Sequence, residues 1–391
     1  PEENRNADHG RTGRTGGDAV MARLGDVATY VNGFAFKPSD WSDEGLPIIR
    51  IQDLTGNSYQ ANRYNGSYLP KYEVNDGDVL ISWSASLGVY VWKGEKAVLN
   101  QHIFKVVFDK AEVDKSFFVH QVQNVLENAA SEAHGATMKH LTKPVFDALP
   151  FYLPDIEKQK EISAVLDRVS ELIALRKEQL VKLDQLVKSR FVELFGDPVK
   201  NNMGWESKPL NDVCDGIGDG LHGTPEYDEG GEYPFINGNN LIDGEIIITP
   251  ATKMVAAKTY EKHFIDISTN AILISINGTL GKLAFYNGEK VMLGKSACYC
   301  NLKQDINKVF VYGVMKSDAF AEFLENSSTK STIKNVGLKA MREFRLILPP
   351  MELQEQFAAF VEQTDKSKWA IQQSLDKLEL LKESLMQEYF G

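Results

Sequence analysis

Apolar and polar positions along this chain follow two alternating patterns. Short runs rich in Val, Ile and Phe occur at Asp78 to Ser82, Ile103 to Phe108, Ala271 to Ile276 and Phe344 to Leu348; Gly, Asn and Asp flank them, so they predict strands. Between such runs, Lys115 to Asn128 and Asn307 to Leu324 carry helical spacing, which makes each strand-rich block a mixed α+β unit. Each block is then followed by a longer period. Ile162, Leu166, Val169, Ile173, Leu180, Leu183 and Val187 form a 4-3 ladder broken once by Arg176, with Gly196-Asp197-Pro198 as its stop. Phe357, Val361, Thr364, Ile371, Leu375, Leu378 and Leu385 form a second, weaker seam interrupted by Lys368 and Lys382. Both helices are predicted to begin just after Leu-Pro, at Asp155 and Pro350, where a proline suits the first turn. Each of these 42-residue stretches would run about 60 Å as a helix.

The order block, rod, block, rod reflects an internal repeat. Leu24-Gly25-Asp26-Val27 matches Leu210-Asn211-Asp212-Val213 at an offset of 186, and Pro47-Ile48-Ile49 matches Pro234-Phe235-Ile236 at 187. Leu80-Ile81-Ser82 with Leu87-Gly88 matches Leu273-Ile274-Ser275 with Leu280-Gly281 at 193. From Thr137 onward the offset is 195 without a gap, pairing Leu153-Pro154 with Leu348-Pro349, Gln159 with Gln354 and Phe195-Gly196 with Phe390-Gly391. The drift marks loop insertions, and a repeat held this long dictates the architecture. The expected fold is α+β, with two tandem β-rich mixed blocks joined by two long antiparallel coiled-coil helices in a pseudo-two-fold repeat. The expected boundaries are a tag or disordered tail over 1–20, blocks at 21–154 and 197–349, and rods at 155–196 and 350–391. Two separate helical hairpins or homodimeric coils are the competing arrangement.

Composition narrows the function. The chain has 391 residues, 43% apolar and 25% charged, which suits two or three globular domains and excludes a fibrous or disordered protein. Its apolar runs are far shorter than the roughly 18 residues a membrane span needs. Three cysteines, Cys214, Cys298 and Cys300, make neither a disulfide framework nor a four-ligand zinc site, so a cytoplasmic location is expected. The net charge of −11 weighs mildly against nucleic acid, and neither block is net positive. Phosphate contacts would therefore come from small local clusters, with further positive charge borrowed from a partner.

Catalytic signatures are missing. Gly294-Lys295-Ser296 imitates the end of a phosphate loop, but the required upstream glycine is Glu289. Gly216, Gly218 and Gly220 lack the dinucleotide-binding spacing and predict a flexible turn. The seven histidines show no metal spacing, and no Asn/Asp-Pro-Pro-aromatic tetrapeptide of the amino-methyltransferase kind occurs. No cofactor and no metal are expected. His102, His140 and His222 remain ordinary surface or core histidines on this reading.

The blocks instead display hydrogen-bonding side chains on turns. Arg50, Gln52 and Asp53 follow one strand, and Asn237, Asn239 and Asn240 occupy the matching places in the second half. Arg can fork to guanine, Asn or Gln to adenine, and Asp can accept from cytosine, although Asn-Gly-Asn-Asn is also ordinary turn chemistry. The loops carrying Ser82, Ser84 and Ser86, and Asn277 in the second half, share a frame with variable tips. Their small polar residues can donate to phosphates, as can Lys282 and Lys295. The strongest basic contrast is Lys330 to Arg345, with Lys334 and Lys339, mirrored by Lys139-His140-Leu141-Thr142-Lys143.

On these features the chain resembles the specificity subunit of a type I restriction–modification system. The carriers are the repeated Leu-Pro…Gln starts at Leu153-Pro154…Gln159 and Leu348-Pro349…Gln354, the two long helices, and the Leu-Gly-Asp-Val and Leu-Asn-Asp-Val openings. Together they cover 22–391. The resemblance implies two target-recognition domains, each reading one half of a bipartite target in double-stranded DNA. It implies helices that dock two methyltransferase (M) subunits and set the spacer, restriction (R) subunits as further partners, no membrane association and no active site. The lack of net positive charge in either block departs from a simple DNA binder. The alternatives are the equivalent subunit of a methylation-only or fused restriction–methylation system, and a non-DNA coiled-coil scaffold displaying two ligand-binding domains.

Overall fold

The structure, a computed structural model, describes residues 20–56, 62–132, 142–198 and 200–391. It divides into two compact units, one comprising the chain up to Arg176 together with Ser374–Gly391, the other Lys177–Gln373.

In the first unit, the strands Thr29–Asn32, Ile103–Val107, Val79–Ser82 and Gly88–Val91 lie side by side in that order in an antiparallel sheet. Val79–Ser82 is buried at every position, which explains why its sequence is an apolar run and not an alternation. A second sheet orders Arg63–Tyr64, Leu46–Ile49, Ala97–Leu99 and Glu73–Val74, with Leu46–Ile49 parallel to Ala97–Leu99. The strands Val20–Arg23 and Pro150–Leu153 pair next to the long helix.

The second unit repeats the order of the first sheet, while its second sheet has three strands where the first unit has four. Cys214–Asp219, Ala297–Leu302, Ala271–Ser275 and Leu283–Tyr286 form its antiparallel sheet. Tyr233–Ile236 runs parallel to Met292–Leu293, and Glu206–Pro209 pairs with Arg345–Leu348.

Two sequence expectations need correction. The glycine cluster is not a flexible turn: Gly216 and Gly218 belong to the strand Cys214–Asp219, where a Cβ on Gly218 would press on the Tyr299 ring. The stretch Asn307 to Leu324 is not one helix but two, Lys308–Met315 and Asp318–Ser327. The Ser317 hydroxyl caps the second by accepting from the Phe320 N–H, a local bond that competes with helix continuation.

The long helices are Ile156–Phe195 and Met351–Phe390, each unbroken. Asp155 caps the first, its Oδ1 accepting from the Lys158 N–H at 2.9 Å. Within the second unit the helices run antiparallel, as the contacts Phe191–Phe357 (ring centroids 5.4 Å) and Asp184–Lys368 (2.7 Å) show. Lys368 interrupts the apolar seam but is not stranded, since it also lies 3.4 Å from Asp365.

Aromatic residues fasten helices to sheets. Phe104, Phe117, Phe118, Phe146 and Phe151 gather Ile162 and Leu166 of one helix, with Leu385, Tyr389 and Phe390 of the other, into the first core. Phe191, Phe195, Phe310, Phe320 and Phe357 do the same in the second. Each fully buried ring contributes on the order of 2–3 kcal/mol through removal from water.

Candidate nucleic-acid interface

Four loops meet in the second unit. The turn after Tyr233–Ile236 is closed by the Asn237 N–H donating to Asn240 Oδ1 at 2.9 Å, while Asn240 Nδ2 donates to the Ile247 carbonyl at 2.9 Å. The Ser296 hydroxyl accepts from the Gly238 N–H and donates to Asn237 Oδ1, both at 2.9 Å, which ties this turn to the loop carrying Lys295. In the hairpin after Ala271–Ser275, the Ser275 hydroxyl donates to the Thr279 carbonyl at 2.7 Å and accepts from the Lys282 N–H at 2.8 Å. Finally, Asn277 Nδ2 donates to Asn335 Oδ1 at 3.1 Å and the Gly278 N–H to the Lys334 carbonyl at 2.9 Å. Residues that lie up to about a hundred positions apart in sequence thus share one surface.

The first unit builds the same backbone frame and shares the side-chain bonds of the turn and of the hairpin. The Arg50 N–H donates to Asp53 Oδ2 at 2.7 Å, as Asn237 does to Asn240. Phe34 donates to the Leu99 carbonyl and Gln101 to that of Phe34, each at 2.8 Å; Leu221 donates to Leu293 at 2.8 Å and Lys295 to Leu221 at 3.1 Å. Asn100 bonds to Ile49 and Trp83 to His102 where Gly294 bonds to Ile236 and Ile276 to Ser296. Ser82 Oγ bonds to the Ser86 carbonyl as Ser275 does to Thr279. A Cβ at Gly33 would collide with the Asn100 carbonyl, and one at Gly220 with that of Leu293, so glycine is required at both equivalent places.

The candidate side chains divide by what they touch. Ser82 is fully buried and Ser84 nearly so; with Asp53, Asn237, Asn240 and Asn277 they shape the frame. Arg50 lies 3.5 Å from Asp53 through its Nε, a partly buried pair that aims the guanidinium. Gln52, Ser86, Asn239 and Lys295 are exposed, and Lys282 is half-buried. In the basic stretch, Arg342 donates to the Ile217 carbonyl at 2.8 Å and Arg345 to that of Ser207, so both arginines brace strands. Lys334 meets both carboxylate oxygens of Glu325 at 2.7 Å, while Lys339 is 88% exposed and 3.9 Å from Glu343. Lys139 and His140 lie outside the described residues. His222 is held by Asp219 at 2.7 Å.

Sequence reading missed Gln101, the counterpart of Lys295. Their triplets, Asn100-Gln101-His102 and Gly294-Lys295-Ser296, share no residue type, so only strand register could align them. Among the described residues there is no group of three or more His, Cys, Asp or Glu placed to hold a metal ion, and no helix is long and apolar enough to cross a membrane.

A family model described as "Type I restriction modification DNA specificity domain" matches residues 17–185 and again 202–380. The "Type I restriction enzyme EcoBI specificity subunit" of Escherichia coli is 23% identical over 402 residues, covering 94% of this chain and 84% of that protein. The "Type I restriction enzyme MjaVIII specificity subunit" of Methanocaldococcus jannaschii is 20% identical over 408 residues, 98% and 94% of the two chains. Among solved structures, the S subunit of a type I restriction–modification system from M. genitalium superposes with a TM-score of 0.57 at 14% identity, over 97% of this chain and 98% of that one. A chain solved in work on complex assembly and conformational transition of the type I R-M system gives 0.58 at 18% identity, over 97% and 99%. These superpositions establish a shared fold. The doubled family match, falling once on each copy of the repeated frame, identifies the chain as a member of the type I restriction modification DNA specificity domain family.

Proposed function

We propose that this protein is the sequence-specific DNA-recognition subunit of a type I restriction–modification complex, acting without an active site or cofactor of its own in the cytoplasm. Block 21–154 reads one half of a bipartite target in double-stranded DNA and block 197–349 reads the other. The rods 155–196 and 350–391 dock two methyltransferase subunits and set the spacer between the half-words; restriction subunits join that assembly. The observation that carries this reading is the loop frame that occurs twice with equivalent backbone bonds but different side chains, Arg50-Ile51-Gln52-Asp53 against Asn237-Gly238-Asn239-Asn240. Two copies of one scaffold with different tips are what reading two different words requires. Neither block being net positive, much of the phosphate neutralisation falls to the methyltransferase subunits. Co-expression with a type I methyltransferase subunit that assembles with it, followed by methylation sequencing of the host DNA, tests the proposal: a bipartite methylated motif that disappears with the gene for this chain supports it, and an unmethylated genome in the presence of the assembled complex refutes it.

A further inference from the structure

We propose that Gln101 and Lys295 are a matched pair of specificity-determining residues, each addressing a base edge in the half-word read by its own unit. The inference rests on the DNA-recognition reading above and goes further by naming the positions at which the two readers differ. Both residues sit in the same backbone frame: each N–H is fixed to the carbonyl of Phe34 or Leu221, and the preceding N–H to the strand-end carbonyl of Ile49 or Ile236. Gly33 and Gly220 let the two chain segments close to a distance that a side chain would prevent, which holds the turn rigidly. The neighbouring polar groups are already engaged, Asp53 and Asn240 in the turn, Ser82 and Ser275 in the hairpins, and Ser296 against Asn237. The side chains of Gln101 and Lys295, by contrast, make no hydrogen bond or ion pair among the described residues. They are also chemically unlike at one address. A glutamine amide both donates and accepts, matching adenine N6 and N7, whereas an ammonium only donates, matching guanine O6 and N7.

The test uses the assembled complex, comparing wild type with Gln101→Ala, Gln101→Lys, Lys295→Ala and Lys295→Gln by methylation sequencing and by selection from a randomised duplex library. Each alanine variant is expected to lose discrimination roughly five- to hundredfold at a single base pair of one half-word, leaving the other half-word and the spacer unchanged. The Lys and Gln exchanges are expected to shift preference at that same base pair. An unaltered motif in all four variants overturns the assignment while leaving the recognition function standing. So does a uniform loss of affinity with a shallower salt dependence, which marks a phosphate contact, or failure of the variants to assemble, which marks a structural role. A wild-type complex that selects no bipartite motif refutes the recognition reading itself.

Discussion

Gln159 Oε1 accepts a hydrogen bond from the backbone N–H of Asp114 at 2.9 Å, joining the start of the first long helix to the residue that caps the helix Lys115–Glu132. The same side chain donates to the Pro154 carbonyl at 2.8 Å. Gln354 repeats both bonds, accepting from Asn307 at 3.1 Å and donating to Pro349 at 2.8 Å. Both glutamines are almost fully buried, so their amides act as locks between a rod and its block. Replacing either by Ala leaves a partly buried N–H and a buried carbonyl without partners, and each variant is expected to lose about 1–3 kcal/mol. Denaturant titration checks this, and a loss below about 0.5 kcal/mol in both would show that the locks are dispensable.

Lys334 and Lys339 are expected to act on DNA through charge alone. Lys334 is paired with Glu325 at 2.7 Å, whereas Lys339 is close to fully exposed, so Lys339→Ala should weaken binding to every sequence and flatten the dependence of affinity on salt. Lys334→Ala should have the smaller effect, because its ammonium must first leave a carboxylate. Salt slopes of the assembled complex on matched and random duplexes decide this, and slopes equal to wild type in both variants would remove the phosphate assignment.

His120 gives the first unit an acid-sensitive contact. Its Nε2 lies 2.7 Å from Asp167 Oδ1, which also accepts from the Ser116 hydroxyl at 2.5 Å. Burial, the largest effect, holds the imidazole below its ordinary 6.5 despite Asp167, with Lys382 also lowering it and Asp114 opposing. A depressed value means that the unfolded chain takes up the proton first, so stability is complete above the unfolded value and falls as pH drops through it. Thermal unfolding at pH 7 and pH 5 should therefore show a smaller acid-induced decrease for His120→Gln than for wild type. Identical decreases would place the acid sensitivity elsewhere.

Helix length is expected to set the spacer. Inserting four residues after Leu180, and four after Trp369 to keep the facing helix in step, adds about 6 Å to each helix and a single stutter to the seam. The methylated motif should keep both half-words and gain one or two base pairs between them, close to what 6 Å spans at roughly 3.4 Å per base pair. An active complex with its original spacer would show that the helices do not measure distance.

Much of the fold was legible because it is written twice. The strands at Val79–Ser82 and Ala271–Ser275, the Leu-Pro helix starts and the paired glutamines all lie at regular offsets, and periodicity marks them without a structure. The site was legible only as a set of turns. Ser82 and Ser275 look like exposed loop hydroxyls in sequence, yet each folds back on a carbonyl of its own hairpin, and residue type alone does not distinguish a donor turned inward from one turned outward. The break at Ser317 was hidden by apolar residues that keep helical spacing across it. Arg342 and Arg345 count as basic charge in sequence but brace backbone carbonyls in the fold.

Each unit is expected to read its own half-word, and exchange of one block decides whether it does. Residues 21–154 would be replaced by the first block of another family member, and the methylated motif of the resulting complex determined by sequencing. The expected motif has one new half-word, joined through an unchanged spacer to the original second half. A motif in which both half-words change together, or neither does, would contradict it.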